Sequence, residues 1–314
     1  MKKKYTFIFP GQGAQYIGMG HDFYQSYPAA KRVFEEADDL LKRKLSQLIF
    51  HGTEAELTQT KNSQPAIYVT SIAILTTLQE LFPELLPFAC AGLSLGEYTA
   101  LTAAKKLSFA SGVPLVQARG LYMHEACEEK KGAMTCILGL DDSAVEAAID
   151  ALNMPHEISC ANFNCPGQVV ISGTVHGIEV GTKACLEKGA KKAIPLQVHG
   201  AFHSGLMQKA QDRLRVNLSE TPLLHTDIKV ATNVTGDFVD SPEMLKEILI
   251  KQVTSPIRWH KAIRAIDNEG CSHFVEIGCG KTLSGMNKRI GVLAPTYNVE
   301  KVEDIKKFEE EMKK

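Results

Sequence analysis

The run Gly92-Leu93-Ser94-Leu95-Gly96 sets one serine between two glycines, and its flanks constrain what the chain can become. Residues 87–90 before it read as the end of a short buried strand, and residues 96–104 after it read as a helix. A tight strand-to-helix turn of the G-x-S-x-G type pushes its serine into a strained, exposed position, with small residues on both sides so that neighbouring elements can approach. The hydroxyl then lies beside a helix N-terminus, where free backbone N–H groups can hold a developing oxyanion. With that strand before it and that helix after it, Ser94 reads as a nucleophile rather than as a turn serine.

Strand and helix patterns alternate from end to end, which predicts an α/β chain with a mostly parallel sheet. Residues 5–9 form the first strand. Residues 29–48 carry Val33, Phe34, Ala37, Leu40, Leu41, Leu45 and Leu48 at helical spacing and are expected to form one amphipathic helix. Pro65 suits a helix start, and residues 66–81 are apolar nearly all round, so that helix should be buried. Residues 113–128 form the helix that carries Arg119. The middle then changes character: strand 133–138, helix 143–152, strands 157–161 and 168–172 around a turn-rich 162–167, helix 175–188 and strand 192–198. That β-α-β-β-α-β order is ferredoxin-like. The expectation is a large α/β-hydrolase-like domain built from 1–129 and 199–314, with a small ferredoxin-like domain, 130–198, inserted between its halves. The remaining elements are helices 204–218, 242–253, 256–269, 281–290 and 304–314, and strands 228–233, 271–277 and 296–299.

Composition narrows the class. Net charge is −1, so no global field recruits nucleic acid or an anionic membrane. No apolar run suits a membrane span. The basic start Met1-Lys2-Lys3-Lys4 runs into a short strand and Pro10, which reads as a first strand and not an export signal. Eight scattered cysteines without C-x-x-C spacing fit core residues in a reducing compartment and give no support to a zinc or dithiol site. A cytoplasmic protein is expected, with no metal.

Two glycine-rich segments imitate nucleotide motifs and fail. Gly11-Gln12-Gly13 follows a strand, but Tyr16 stands where a dinucleotide fingerprint needs glycine. Gly278-Cys279-Gly280-Lys281-Thr282 lacks the Walker A glycine at Val275. The first remains either a tight turn or a loop of exposed amides at the sheet's C-terminal edge, where ligands collect.

A nucleophilic serine needs a base. His203 lies in a loop after a predicted strand and before a helix, where catalytic side chains tend to be presented; His199 is the nearest competitor. No acid stands out as a third member. Asp141, Asp142 and Asp150 fall in the small domain, which counts against an ordinary esterase.

With these features in view, the chain resembles the malonyl-CoA:acyl carrier protein transacylase family over nearly its whole length. Phe9-Pro10-Gly11-Gln12-Gly13-Ala14-Gln15 matches the family's opening, Gly92–Tyr98 its elbow, and Arg119-Gly120 lies in the helix of its arginine. Residues 162–173, beginning Asn162-Phe163-Asn164-Cys165-Pro166-Gly167, are similar to its N-x-N-x-P-G-Q segment. Gly200-Ala201-Phe202-His203-Ser204 looks like its histidine loop, and Glu276-Ile277-Gly278-Cys279-Gly280-Lys281 resembles its E-[IV]-G-x-G-K. Many relatives have histidine where this chain has Leu93, so no role of that histidine is carried over.

The resemblance implies malonyl transfer from a coenzyme A thioester to acyl carrier protein through a malonyl-serine, supplying fatty acid biosynthesis, with Ser94 and His203 catalytic and no cofactor. It puts the Gln12 and Leu95 N–H groups in the oxyanion hole, Arg119 on the malonyl carboxylate, and Asn162 and Phe202 along the substrate. Gln252 matches the glutamine that orients the histidine in place of an acid. Carrier-protein docking falls to Lys288 and Arg289, with Lys191-Lys192 and Lys105-Lys106 as other candidates, and a monomer is expected. The competing readings are a serine hydrolase, which leaves Gln12 and Arg119 unexplained, and a carrier-binding module without activity.

Overall fold

The structure is a computed structural model that describes residues 3–198 and 200–313. Nine strands form two separate sheets among these residues: β1 Tyr5–Phe9, β2 Pro87–Gly92, β3 Ala133–Leu138, β4 Ile158–Cys165, β5 Gln168–Gly173, β6 Lys192–Pro195, β7 Lys229–Ala231, β8 His273–Ile277 and β9 Thr296–Val299. The first sheet has the order β7-β2-β1-β8-β9, and all its pairings are parallel. The chain winds outward from β1 in both directions, so the order reverses beside β1. Ligands of such sheets bind outside the carboxyl ends of the strands at that reversal. The second sheet is antiparallel with the order β4-β5-β3-β6.

The alternation of side chains in the second sheet explains how it is held. Ile137, Val169 and Ile171 pack with Val145, Ile149 and Ile178 of the two helices on one face. Met134, Cys136 and Val170 point the other way and join the main core. Main-chain bonds add to the attachment: Phe163 N–H donates to the Ile257 carbonyl and Ile257 N–H to the Ala161 carbonyl, each at 2.8 Å.

The helix Thr60–Leu81 is buried almost throughout, as its all-round apolarity requires. No helix of the described residues is long and apolar enough to cross a membrane. This helix begins five residues before Pro65, not at it. Proline there removes the donor that Lys61 O would have used, and Gln117 Nε2 donates to that carbonyl instead, at 3.2 Å. The amphipathic stretch 29–48 is two helices, Pro28–Leu41 and Leu45–His51, because Lys42 adopts a left-handed conformation with φ 51° and ends the first. Residues 162–165 lie in β4 rather than in a turn, so the hairpin to β5 is shorter than its turn-rich sequence suggests. All eight cysteines are unpaired and buried, as expected of core residues.

Candidate active site

Ser94 sits between β2 and the helix Gly96–Ala103 with φ 52°, a left-handed conformation that costs a residue with a side chain about 1–2 kcal/mol. The elbow closes only because its flanking residues are glycines. A Cβ on Gly92 would lie 1.9 Å from the Gly96 backbone, and one on Gly96 would lie 2.3 Å from the Phe9 carbonyl. The turn is pinned from outside by Asn233, whose Oδ1 accepts the Ser94 N–H at 2.7 Å and whose Nδ2 donates to the Gly92 carbonyl at 2.8 Å.

His203 meets this serine from the far side of the cleft, with Nε2 2.8 Å from Ser94 Oγ. Its Nδ1 lies 2.8 Å from the main-chain carbonyl of Gln252. A carbonyl only accepts, so Nδ1 carries the proton and Nε2 is left as the acceptor facing the serine hydroxyl. Burial pushes the imidazole down to about 3, and the nearby Arg119 cation adds to that. His203 is therefore neutral around neutral pH, with the Nε2 lone pair turned to the serine hydroxyl. Gln252 meets His203 through its main chain rather than its amide. His199 lies outside the described residues.

Arg119 is buried, with 1 % of its surface exposed. Its Nη1 donates to Gln64 Oε1 at 2.5 Å, and its Nη2 donates to Gln252 Oε1 at 2.9 Å and to Ser94 Oγ at 3.0 Å. All three acceptors are neutral oxygens. Burial lowers its pKa, while the neighbouring Tyr98 and Glu97 oppose the shift. A buried cation whose hydrogen-bond acceptors at Gln64, Gln252 and Ser94 carry no net charge keeps an attraction for an incoming anion.

These groups open on one cavity of about 260 Å³ at the carboxyl ends of β1 and β2. Gln12, Leu95, Asn162 and Phe202 line it with Ser94, His203 and Arg119. Among the described residues, neither the Gln12 nor the Leu95 N–H has a partner within the protein. The loop Gly11–Gly13 is a turn whose residues line the cavity. Lys288 and Arg289 are exposed in the last turn of the helix Thr282–Ile290, whose first turns touch the cavity through Thr282, Leu283 and Met286. They do not line it. Lys191, Lys192 and Lys105 are exposed, but Lys106 is buried and donates to the Thr226 carbonyl at 3.0 Å, which removes it from any docking surface.

Sequence reasoning missed four residues here. Gln64 and Asn164 line the cavity, and Asn233 and Glu97 brace it. A signal existed for one of them: Gln64 is polar within a buried helix, whereas Asn233 lies in the turn after β7 with nothing local to mark it. The half phosphate loop at residues 278–282 also resolves. Glu276 accepts the N–H groups of Leu283 and Ser284 at 3.0 and 2.7 Å, so the helix N-terminus that a phosphate would need is already taken.

The fold and site define a class: an α/β protein presenting a serine–histidine pair, with a buried arginine, at the switch point of a parallel sheet. Residues 6–289 match the acyl transferase domain family. The malonyl CoA-acyl carrier protein transacylase of Bacillus subtilis (strain 168) is 45% identical over 303 residues, covering 96% of this chain and 95% of that protein. The enzyme of the same name from Escherichia coli (strain K12) is 38% identical, covering 91% and 93%. Among solved structures, a malonyl-transacylase in complex with its type II PKS acyl-carrier protein superimposes with a TM-score of 0.93 at 35% identity, covering 98% of this chain and 100% of that one. An acyl carrier protein S-malonyltransferase from Vibrio cholerae matches equally well, with a TM-score of 0.93 at 36% identity over the same shares. The chain belongs to the malonyl CoA-acyl carrier protein transacylase family.

Proposed function

We propose that this enzyme moves the malonyl group from malonyl-CoA to the pantetheine thiol of acyl carrier protein, in support of fatty acid synthesis, with Ser94 as nucleophile. The observation that carries the residue assignment is the chain Gln252 carbonyl, His203, Ser94 Oγ, with both links at 2.8 Å. His203 Nε2 takes the Ser94 proton as Oγ attacks the thioester carbon. The oxyanion of the tetrahedral intermediate is received by the Gln12 and Leu95 N–H groups; losing one such donor typically costs about 10²–10³ in rate. The intermediate collapses with loss of CoA sulfur, which takes the proton from His203 and departs as the thiol. The carrier thiol then gives its proton to His203, attacks the malonyl ester and regenerates Ser94. Each half-reaction exchanges one acyl–oxygen or acyl–sulfur bond for another, so the cycle is ping-pong, reversible and complete without a cofactor.

Arg119 grips the malonyl carboxylate, taking it in place of the Ser94 Oγ contact at Nη2. Phe202 limits width beside the malonyl carbon, and Asn162 lies along the substrate's path. Lys288 and Arg289 provide the positive patch for the acidic carrier protein. We read the parallel-sheet unit, residues 1–129 and 199–314, as an α/β-hydrolase-like domain and residues 130–198 as a ferredoxin-like one. The working form we propose is a cytoplasmic monomer that uses neither membrane nor nucleic acid. The test is intact-protein mass spectrometry. Malonyl-CoA should add one malonyl group, and holo-carrier protein should then remove it. Turnover of malonyl-CoA in water without carrier protein, at the rate seen with it, would make the chain a hydrolase instead.

A further inference from the structure

Glu97 is fully buried on the first turn of the helix after the elbow, and it does not line the cavity. Its Oε2 accepts the Asn233 main-chain N–H at 2.9 Å and the Gln252 Nε2 at 3.0 Å. Those two residues touch Ser94, His203 and Arg119 between them. Asn233 holds the Ser94 N–H. Gln252 donates from Nε2 to the Ser94 carbonyl at 2.9 Å, accepts Arg119 at Oε1 and accepts His203 at its carbonyl. One carboxyl thus stands beneath the nucleophile, the base and the arginine without touching the reacting atoms. A buried acid is costly where an apolar side chain would pack more cheaply, so its presence here calls for a function.

We propose that Glu97 is the positioning residue of this site: by holding Gln252 and Asn233 it sets the distances among Ser94, His203 and Arg119. The inference rests on the reading of Ser94 and His203 as nucleophile and base. What matters is an acceptor oxygen at the Oε2 position rather than a charge. The second oxygen, Oε1, has no hydrogen-bond partner among the described residues. Burial also pushes the acid up to about 7, against the opposing effects of the Asn233 N–H, Gln252 and Arg119. An amide can supply the same acceptor with the same reach. Alanine cannot, and the Gln252 side chain would then be free to swing away from Arg119.

The experiment uses the full chain with malonyl-CoA. Peptide mapping of the adduct to Ser94 comes first, so that a wrong nucleophile shows itself separately from any failure of Glu97. Single-turnover acylation is then measured for the wild type, Glu97→Gln, Glu97→Ala, Gln252→Ala and the double alanine variant. Glu97→Ala should lose about 10–100-fold in the saturating rate, with the half-saturating concentration moving less than about 3-fold, as expected for misplaced reacting groups. Glu97→Gln should stay within about 3-fold of wild type, and the double variant should lose less than the two single losses combined, the remaining loss coming through Asn233. A wild-type rate in Glu97→Ala, a glutamine variant as slow as alanine, or additive losses would each overturn the proposal. If Glu97→Ala does not fold, Glu97→Asp decides, because its shorter arm should not reach both donors. A full rate in Glu97→Asp overturns the proposal.

Discussion

His203 turns Nδ1 to the Gln252 main-chain carbonyl, an acceptor that carries no net charge, at 2.8 Å. A carboxylate in that place would stabilise the imidazolium strongly; a carbonyl sets the tautomer and stabilises the cation less. Thioester exchange tolerates this, because a thiol with a pKa near 8.5 leaves far more readily than an amine. Arg119 close by works in the same direction, since it disfavours a second positive charge.

The first prediction concerns pH. The folded protein keeps His203 neutral down to about 3, against an ordinary value of 6.5. Between those values the unfolded chain binds the proton and the folded one does not, so stability rises with pH across that window and falls on acidification. Urea unfolding at pH 4.5 and pH 7 should show a larger acid loss for wild type than for His203→Gln. Equal losses would mean that the imidazole is already protonated in the fold. Acylation of Ser94, with His203 as base, should likewise show no loss of base on going from pH 7 to pH 6.

The second prediction follows from the φ of 52° at Ser94. Ser94→Ala should fold and acquire no malonyl adduct. Ser94→Gly should be equally inert yet more stable than Ser94→Ala by about 1 kcal/mol, because glycine carries no Cβ penalty in the left-handed region. Chemical unfolding of the two inert variants measures this. Alanine proving the more stable would show that the elbow is not strained.

Much of this site was legible before the structure because its parts are local. The elbow is a contiguous strand–turn–helix, and its glycines and serine stand side by side in sequence. The ring of support around it is not local. Gln64, Asn233 and Glu97 act through partners 55, 139 and 155 positions away, and nothing in their own neighbourhoods says which partner they meet. The same limit hid the use of the Gln252 carbonyl, since any residue has one. In the fold, periodicity located most helices and strands. It ran through Lys42 because the heptad-like spacing of apolar residues continues on the far side of the break, and a lysine in a left-handed conformation leaves no pattern. Turn-forming residues misled at 162–165, where pairing with β5 outweighs their local preference.

A third prediction addresses docking. With Lys288 and Arg289 intact, transfer to carrier protein should slow as salt is added, because exposed charge pairing is screened over about 8–10 Å at ordinary ionic strength. With both replaced by alanine the salt dependence should flatten, while acylation by malonyl-CoA stays unchanged, since neither side chain lines the cavity. The same salt slope in both proteins would move docking to another surface, with Lys191 and Lys192 the next exposed pair to test.

The last prediction concerns the choice of acyl group. Arg119→Leu should depress malonyl transfer far more than acetyl transfer. The malonyl carboxylate sheds water on entering the cavity, and a fixed cation must offset that loss; removing one partner of a buried charge pair typically costs about 3–5 kcal/mol. Acetyl has no charge to strand. Arg119→Lys should restore malonyl transfer only in part, because one ammonium cannot keep Gln64 and Gln252 engaged and still present a two-bond fork. The substitution has a second effect that a distant surface arginine could not produce. Arg119 holds the pKa of His203 down, so Arg119→Leu should raise it and move the acid limb of acetyl acylation to higher pH. Competition between malonyl-CoA and acetyl-CoA, read as adduct mass at several pH values, measures both effects. An unchanged acyl ratio with an unchanged acid limb would separate Arg119 from both the substrate and the base.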